Sequence, residues 1–117
     1  MCGIVGGKGA SVVNCIDYMV NLIAHRGPDY SAHWSFEDIA LGHTRLSIID
    51  TSSSSNQPFW DETGRYCIVY NGEIYNYHAI KERLISVGVK FRSNGDTEVL
   101  LQALIYFGSD ILPELEG

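Results

Sequence analysis

The sequence predicts one α+β domain in which short strands precede and separate helices. With 117 residues the chain is long enough for one modest hydrophobic core. A hydrophobic content of 45% and a charged content of 19% are typical of a globular domain and unlike those of a disordered chain. Stretches with helical spacing alternate with β-rich runs, and the turns between neighbouring runs favour antiparallel hairpins.

The first strand and helix follow from the apolar pattern at the N-terminus. Residues 2–7 form an apolar run with flanking glycines, which is typical of a short buried strand. Apolar residues then recur from position 12 to position 23 at helical spacing. The sequence Gly27-Pro28-Asp29 predicts a turn after this helix.

A hairpin and a polar loop come next. Residues 33–36 and 39–49 are predicted as strands that are joined at Glu37-Asp38. Residues 51–58 contain four consecutive serines, and this composition indicates a flexible loop.

Two further β-rich runs lie in the C-terminal half. Residues 65–70 are predicted as a strand that stops at Asn71-Gly72. A second, shorter strand is predicted over 89–91.

Two helices complete the predicted domain. One begins near Asn76 and ends at Gly88, and the other begins at Asp96 and ends at Gly108. The tail over 110–117 has no obvious partner in the predicted fold.

The charge balance excludes several classes of partner. A net charge of −6 with eight Lys and Arg argues against a nucleic-acid-binding or anionic-membrane surface. No apolar run approaches the roughly 20 residues that span a bilayer. The N-terminus lacks the pattern of a signal peptide, so we expect a cytoplasmic protein.

The cysteines and histidines do not suggest a structural site. The three cysteines are an odd number without C-x-x-C spacing, which argues against a disulfide framework or a zinc site. Cys15 and Cys67 lie in apolar stretches and are expected in the core. The four histidines show no metal-ligand spacing, so no metal is expected.

Cys2 is the candidate nucleophile. If Met1 is removed, the chain begins with a residue that carries both a thiol and a free α-amine, two groups that titrate near neutral pH. The amine can take the proton from the thiol and return it to a leaving group. While Met1 remains, that nitrogen lies in a peptide bond and is not basic. The alternative is that Cys2 packs as a small apolar residue near a strand.

Several motifs occur in order along the chain. They are Cys2-Gly3-Ile4-Val5-Gly6, Ala24-His25-Arg26-Gly27-Pro28-Asp29, Leu41-Gly42-His43-Thr44-Arg45-Leu46-Ser47-Ile48-Ile49-Asp50, Gln57-Pro58, Tyr70-Asn71-Gly72-Glu73-Ile74-Tyr75-Asn76 and Gly95-Asp96-Thr97-Glu98-Val99. Together they resemble the glutaminase domain of class II glutamine amidotransferases, which are N-terminal-nucleophile hydrolases. The Arg-Gly-Pro-Asp and Arg-Leu-Ser-Ile-Ile segments are similar to the asparagine synthetase branch.

This resemblance implies both a fold and a reaction. The fold is a four-layer α-β-β-α sandwich with antiparallel sheets. The reaction is hydrolysis of the side-chain amide of L-glutamine by an N-terminal Cys thiolate, with ammonia passed to a second active site for an asparagine-synthetase-like amide transfer.

The resemblance also implies how glutamine is held. Arg45 stands at the position that binds the α-carboxylate, and a guanidinium suits that group because it donates two parallel hydrogen bonds. Asp96 stands at the position that accepts from the α-ammonium. The alternatives are a surface ion pair for Arg45 and a helix N-cap for Asp96.

Asn71 and Gly72 match the oxyanion-binding pair of the family. The Asn71 side-chain amide and the Gly72 backbone N–H can both donate to a tetrahedral oxyanion. The alternative is that Asn-Gly after a strand is only a turn. Other family positions along the glutamine pocket are Leu46, Ser47, Ile48, Ile49 and Glu73.

Arg26 and Gly27 resemble the flexible segment that closes over glutamine in the family. An arginine at a helix end before a Gly-Pro turn is an equally good interpretation.

We expect residues 1–117 to be the N-terminal portion of a glutaminase domain that continues past Gly117. Nothing in the chain resembles the Ser-Gly-Gly-x-Asp-Ser loop of a synthetase domain, so ATP and magnesium are expected only in a synthetase domain outside this chain. The acceptor of the ammonia is not specified by these residues.

The expected partners are L-glutamine and that synthetase domain. Open sheet edges favour self-association of the isolated chain, which we expect to hydrolyse glutamine poorly. The alternative function is a non-catalytic fragment that serves as an interaction module.

Overall fold

The computed structural model describes residues 1–47 and 53–117. These residues form two antiparallel sheets and three α-helices, which confirms the α+β class and the antiparallel pairing. The elements are, in chain order, β1 (Gly3–Lys8), α1 (Ala10–Leu22), β2 (Tyr30–Phe36), β3 (Ile39–Arg45), β4 (Phe59–Trp60), β5 (Cys67–Ile68), α2 (Tyr77–Ser86) and α3 (Asp96–Phe107). Short 3₁₀ helices cover Ala24–Arg26, Ser53–Ser55 and Gly108–Glu114.

The first sheet has the strand order β1-β3-β2 in the described part of the chain. The hairpin between β2 and β3 was predicted, and Glu37 in its turn has a φ of 52°. Strand β1 pairs with β3 so that Gly3 lies opposite Thr44 and Lys8 lies opposite Ile39. This register brings the N-terminus of the chain beside the C-terminal end of β3.

Helix α1 covers one face of this sheet. Its buried side chains, Ile16 and Val20, pack onto β3 at Gly42. A Cβ atom at position 42 would lie 2.4 Å from Cγ2 of Val20, so only glycine allows the helix to approach this closely. Val20 and Ile16 fill the space that a side chain at position 42 would occupy, which gives a closely packed interface between the helix and the sheet.

The opposite face of the first sheet is apolar and largely exposed. Ile4, Ile39 and Phe36 are on this face, and their exposed fractions are 47%, 45% and 62%. Trp34 lies on the same face and meets Trp60 of β4 edge to face, with ring centroids 5.0 Å apart. An apolar surface of this kind is suited to packing against a further layer.

A second core forms between α2, α3 and the last 3₁₀ helix. Its buried members are apolar and come from all three segments: Ile74, Ile80, Leu84, Val99, Leu100, Ala103 and Ile111. The predicted helices are confirmed, because α2 and α3 end beside Gly88 and Gly108.

The C-terminal tail has a partner, contrary to the prediction. Ile111 is fully buried in the helical core. The backbone N–H of Tyr75 donates to the Glu116 carbonyl at 2.7 Å, and the Asn76 side-chain amide donates to the Glu114 carbonyl at 2.8 Å. The tail therefore pairs with the segment that precedes α2.

The strand predicted over 65–70 is longer than the observed β5. The reason is that nearby side chains take its backbone N–H groups. The Asp61 carboxylate accepts from Arg65 at 3.0 Å and from Tyr66 at 2.9 Å, and Gln57 Oε1 accepts from Tyr70 at 2.5 Å. These N–H groups are satisfied without a neighbouring strand.

Strand β3 also ends earlier than predicted, at Arg45. The Leu46 N–H donates to the sulfur of Cys2, and the Ser47 N–H donates to the Asp29 carboxylate at 2.7 Å. The remainder of the predicted strand, residues 48 and 49, lies outside the described residues.

The prediction of a strand over 89–91 is wrong. The Val89 N–H donates to the Leu84 carbonyl at the end of α2, and Val89 and Phe91 pack against the helical core. Val and Phe favour strands because they pack well on a half-buried surface, and here the helical core provides that packing without a sheet.

The prediction that Cys15 is a core residue is also wrong. Cys15 is exposed. Its neighbour on α1, Ile16, faces the sheet, and because adjacent residues of a helix point in different directions, the Cys15 side chain points to solvent. Cys67 is half-buried, and burial raises the pKa of its thiol to about 11.

Candidate functional site

A single cleft collects most of the residues that the sequence singled out. The cavity has a volume of about 780 Å³. It is lined by the N-terminus, the end of β3, the segment before α2 and the beginning of α3, and also by Ser55, Gln57 and Gly117. The predicted site residues that line it are Cys2, Arg45, Leu46, Ser47, Asn71, Gly72, Glu73 and Asp96. Ile48 and Ile49 lie outside the described residues.

Cys2 precedes β1 and is half-buried at the edge of this cleft. The Leu46 backbone N–H donates to its sulfur at 3.4 Å, and the sulfur also lies 3.8 Å from the Leu46 carbonyl oxygen. The Leu46 backbone therefore holds the sulfur in place at the edge of the cleft. This contact could not be predicted from the sequence, because it depends on the register between β1 and β3.

Arg26 contacts Cys2 instead of lying in a separate loop. Its Nε donates to the Cys2 carbonyl oxygen at 3.1 Å. Arg26 ends the 3₁₀ helix Ala24–Arg26 and is exposed at the surface. The bond fixes the backbone of the candidate nucleophile next to the turn at Gly27.

Arg45 is the last residue of β3, and its side chain is only 7% exposed. Its Nη1 donates to Asn56 Oδ1 at 2.6 Å. A buried position in the cleft does not fit the alternative of a surface ion pair. Nearly complete burial makes the guanidinium a strong partner for an anionic group, because water competes little there.

Asp96 is not a helix N-cap. It is the first residue of α3, and Gly95 occupies the cap position. Its Oδ2 accepts a hydrogen bond from the Ile74 N–H at 2.9 Å. Its Oδ1 makes no hydrogen bond to the residues that the structure describes, so it can accept from a cationic ligand in the cleft.

The Asn71-Gly72 segment carries unpaired donors. Within 1–47 and 53–117, Asn71, Gly72 and Glu73 form no hydrogen bond. A Cβ at position 72 would lie 2.5 Å from the Tyr70 hydroxyl oxygen, so the Tyr70 ring requires glycine there. Burial and the nearby Asp96 and Glu73 carboxylates raise the pKa of Tyr70 to about 12, which keeps its hydroxyl protonated.

His43 lines the cavity, although no functional role was predicted for it from the sequence. It lies on β3 and is fully buried. Burial lowers its pKa to about 4, the Tyr70 backbone partly opposes that shift, and the Arg45 charge adds to it. Neither ring nitrogen has a hydrogen-bond partner of good geometry among the described residues. His43 is therefore neutral at pH 7.

The free energy of unfolding is expected to fall as the pH drops from about 6.5 to about 4. In this window His43 gains a proton in the unfolded chain but not in the folded chain, so the unfolded state is favoured as the pH falls. The loss is complete below the folded pKa and amounts to roughly 2–3 kcal/mol.

Chemical denaturation of a His43→Gln variant between pH 4 and 7 measures this contribution. Glutamine does not titrate, so the curve of stability against pH should flatten. The exposed His78 offers a control, and His78→Gln should keep the fall that depends on His43. An unchanged slope in His43→Gln would contradict the assignment.

The described residues contain no group of three or more His, Cys, Asp or Glu side chains placed to hold a metal ion. In the same part of the chain, none of the helices has the length and the apolar character needed to cross a membrane.

Comparison with known proteins identifies the family to which the chain belongs. A family model described as "Glutamine amidotransferase domain" matches residues 1–117. Amidase chry2 of Gibberella zeae is 40% identical over 116 residues, which cover 97% of this chain and 17% of the relative. Asparagine synthetase [glutamine-hydrolyzing] 1 of Bacillus subtilis is 37% identical and covers 100% of this chain, which spans 20% of that relative.

A plant relative has a similar identity and a similar coverage. Asparagine synthetase [glutamine-hydrolyzing] 3 of Arabidopsis thaliana is 34% identical over 127 residues, which cover 100% of this chain and 21% of the relative. The chain spans about a fifth of the length of the curated relatives that it matches.

Proposed function

Because the chain belongs to the class II glutamine amidotransferase domains and is similar to those of asparagine-synthetase-like proteins, we propose that it hydrolyses L-glutamine with the Cys2 thiol as nucleophile. The observation that carries this proposal is the convergence of a thiol, two unpaired donors, a buried guanidinium and a carboxylate on one cavity. Each of these groups meets a specific need of amide hydrolysis.

The reaction begins with attack of the Cys2 thiolate on the side-chain amide carbon. Removal of Met1 frees the α-amine, which takes the thiol proton. The new S–C bond turns the carbonyl oxygen into an oxyanion, and we propose that the Asn71 amide and the Gly72 N–H donate to it. The Leu46 N–H holds the sulfur before the attack.

Collapse of the tetrahedral adduct breaks the C–N bond. The α-ammonium returns its proton to the leaving nitrogen, which departs as ammonia and leaves a thioester. Water then adds to the thioester carbon, and the S–C bond breaks to give glutamate and the Cys2 thiol. The sum of the steps is glutamine plus water to glutamate plus ammonia.

Recognition of glutamine is proposed to use both ends of its amino-acid backbone. Arg45 faces the α-carboxylate, and Asp96 Oδ1 accepts from the α-ammonium. Leu46, Ser47 and Glu73 are proposed to border the substrate, since they line the same cavity. Such a clamp selects an amino acid over a simple amide.

We also propose how this domain is completed and which domain receives its ammonia. We propose the four-layer α-β-β-α arrangement, in which the exposed face at Ile4, Ile39 and Phe36 packs against a second sheet. Two of the relatives reported above are named as glutamine-hydrolysing asparagine synthetases, and we propose that ammonia formed here passes to a synthetase domain that binds ATP and magnesium.

The exposed face also supports the second candidate function, a non-catalytic interaction module. The same apolar residues would then bind a partner or a second copy of the chain. Ammonia release from L-glutamine by the full-length, Met1-processed protein separates the two functions, with L-asparagine as the control substrate. A protein that binds glutamine without releasing ammonia supports the module.

Arg45→Ala is expected to lower kcat/KM for glutamine by roughly 10²-fold, since it removes charge-assisted hydrogen bonds to the α-carboxylate. Hydrolysis of 4-aminobutanamide, which lacks that carboxylate, should change less than about threefold. Steady-state assays with both amides measure the difference.

Arg45→Lys tests the geometry of the same contact. A lysine keeps the charge but not the planar pair of donors, so it should recover only part of the activity. Arg65→Ala, at an exposed position, is the control and should behave like the wild type. Equal losses on both amides in Arg45→Ala would show that Arg45 supports the fold and not the substrate.

A further inference from the structure

The segment that carries the proposed oxyanion donors is held at both ends. Asn71, Gly72 and Glu73 make no hydrogen bond among the described residues, but their neighbours do. Tyr70 and Ile74, on either side, each donate a backbone N–H to a side chain. The position of the donors is therefore set by these two tethers.

Both tethers lead to the first turn of α3. The Ile74 N–H is bound directly by Asp96 Oδ2 at 2.9 Å. The Tyr70 N–H is bound at 2.5 Å by Gln57 Oε1, and the other end of the same amide, Nε2, donates to Thr97 Oγ1 at 3.3 Å. Asp96 and Thr97 are the first two residues of α3.

Burial makes the Gln57 bridge hard to replace. Its side chain is 6% exposed, and Thr97 is also buried. Water has little access to a site of this kind, so a lost bridge would leave the Tyr70 N–H without a partner. In the sequence, Gln57 stands out only as part of the Gln57-Pro58 motif.

We propose that Gln57 is a positioning residue that aligns the oxyanion donors with the carboxylate that binds the α-ammonium of glutamine. The inference rests on the proposed glutaminase function. Donors of this kind act only when they are held within about 0.5 Å of their productive position. The amide bridge fixes the distance between the oxyanion donors and Asp96. The side-chain amide and the α-ammonium of the bound glutamine would then each meet their partner at the same time.

The amide chemistry explains why this residue is a glutamine. The bridge needs an acceptor for the Tyr70 N–H and a donor to the Thr97 hydroxyl oxygen. Gln57→Met keeps an unbranched side chain of similar size but supplies neither group. Gln57→Glu keeps the bridge, because a carboxylate accepts from both the Tyr70 N–H and the Thr97 O–H.

Two inhibitors of the full-length, processed protein distinguish a positioning role of Gln57 from a general structural role. The first is a glutamine analogue with an aldehyde in place of the side-chain amide. The Cys2 sulfur adds to its carbonyl carbon as the C=O π bond opens, the α-amine takes the thiol proton, and the oxygen enters the oxyanion site. The second is glutamate, which binds without forming a tetrahedral oxygen.

Gln57→Met is expected to weaken inhibition by the aldehyde about 10-fold and to lower kcat by a similar factor, while inhibition by glutamate changes less than about threefold. Thr97→Val breaks the bridge from its other end and should give the same selective loss. Gln57→Glu should restore aldehyde inhibition to within about threefold of the wild type.

Equal weakening of both inhibitors in Gln57→Met and Thr97→Val would overturn the proposal, because it would indicate a general structural role. If Gln57→Met does not fold, Thr97→Val decides in the same two titrations. A full-length, processed wild-type protein that releases no ammonia from glutamine would overturn the glutaminase function and this inference with it. An active wild type with an unselective Gln57→Met variant would overturn the inference alone.

Discussion

Replacing Cys2 by alanine is expected to lower kcat for glutamine hydrolysis by roughly 10⁴-fold or more, while glutamine still binds. The substitution removes the sulfur that attacks the amide carbon but leaves Arg45 and Asp96 in place. Ammonia release measures the lost turnover, and isothermal titration calorimetry of the same variant measures the retained binding.

The chain supplies its own matched controls for this experiment. Cys15 is exposed on α1, away from the cleft, and Cys15→Ala should keep full activity. Cys67 is half-buried and does not line the cavity, so Cys67→Ala should also stay active. Appreciable turnover by Cys2→Ala, or loss of activity in Cys15→Ala, would refute the assignment of the nucleophile.

Asn71→Ala is expected to lower kcat by roughly 10²- to 10³-fold with little change in KM, because an oxyanion donor acts mainly in the transition state. Steady-state kinetics of ammonia release give both constants. The sulfur, the guanidinium and the carboxylate all remain in this variant, so the loss can be attributed to the missing donor.

Asn94→Ala is the control for this second variant. Asn94 lines the same cavity but is not expected to reach the reacting carbonyl. Its replacement should change kcat less than about threefold, within the usual effect of a peripheral contact. A similar fall of kcat in both variants would point to a general change in the cavity and would count against the oxyanion role of Asn71.

The helices were well predicted because their evidence is local. Helical spacing and the terminal glycines placed α2 and α3 within a residue or two of their observed ends. The hairpin between β2 and β3 was predicted for the same reason, since its turn joins adjacent residues. The predicted site residues also came together in one cleft, apart from Ile48 and Ile49, which lie outside the described part.

The errors in the lengths of β3 and β5 share one physical cause. Strand length depends on where each backbone N–H finds its partner, and the partner can be distant in sequence. Asp61, Gln57 and Asp29 each take N–H groups that a longer ladder would have used. A sequence pattern shows that a run favours the β conformation but not that a side chain elsewhere will end it.

The same limit explains the contacts that were missed around the nucleophile. Leu46 and Arg26 bind Cys2 from positions 44 and 24 residues away. The burial of His43 follows from its place on the sheet face that meets the cleft. No periodicity in the sequence encodes these long-range relations, because they arise from the register of three strands.

The use of backbone donors has a consequence for how the site can diverge over evolution. The Leu46 N–H that holds the Cys2 sulfur is present in every residue type except proline, so this contact by itself excludes only proline at position 46. Position 72 has less freedom, because any side chain there would collide with the Tyr70 ring. A lineage that replaced Gly72 would have to shrink Tyr70 as well, and the two positions should change as a pair.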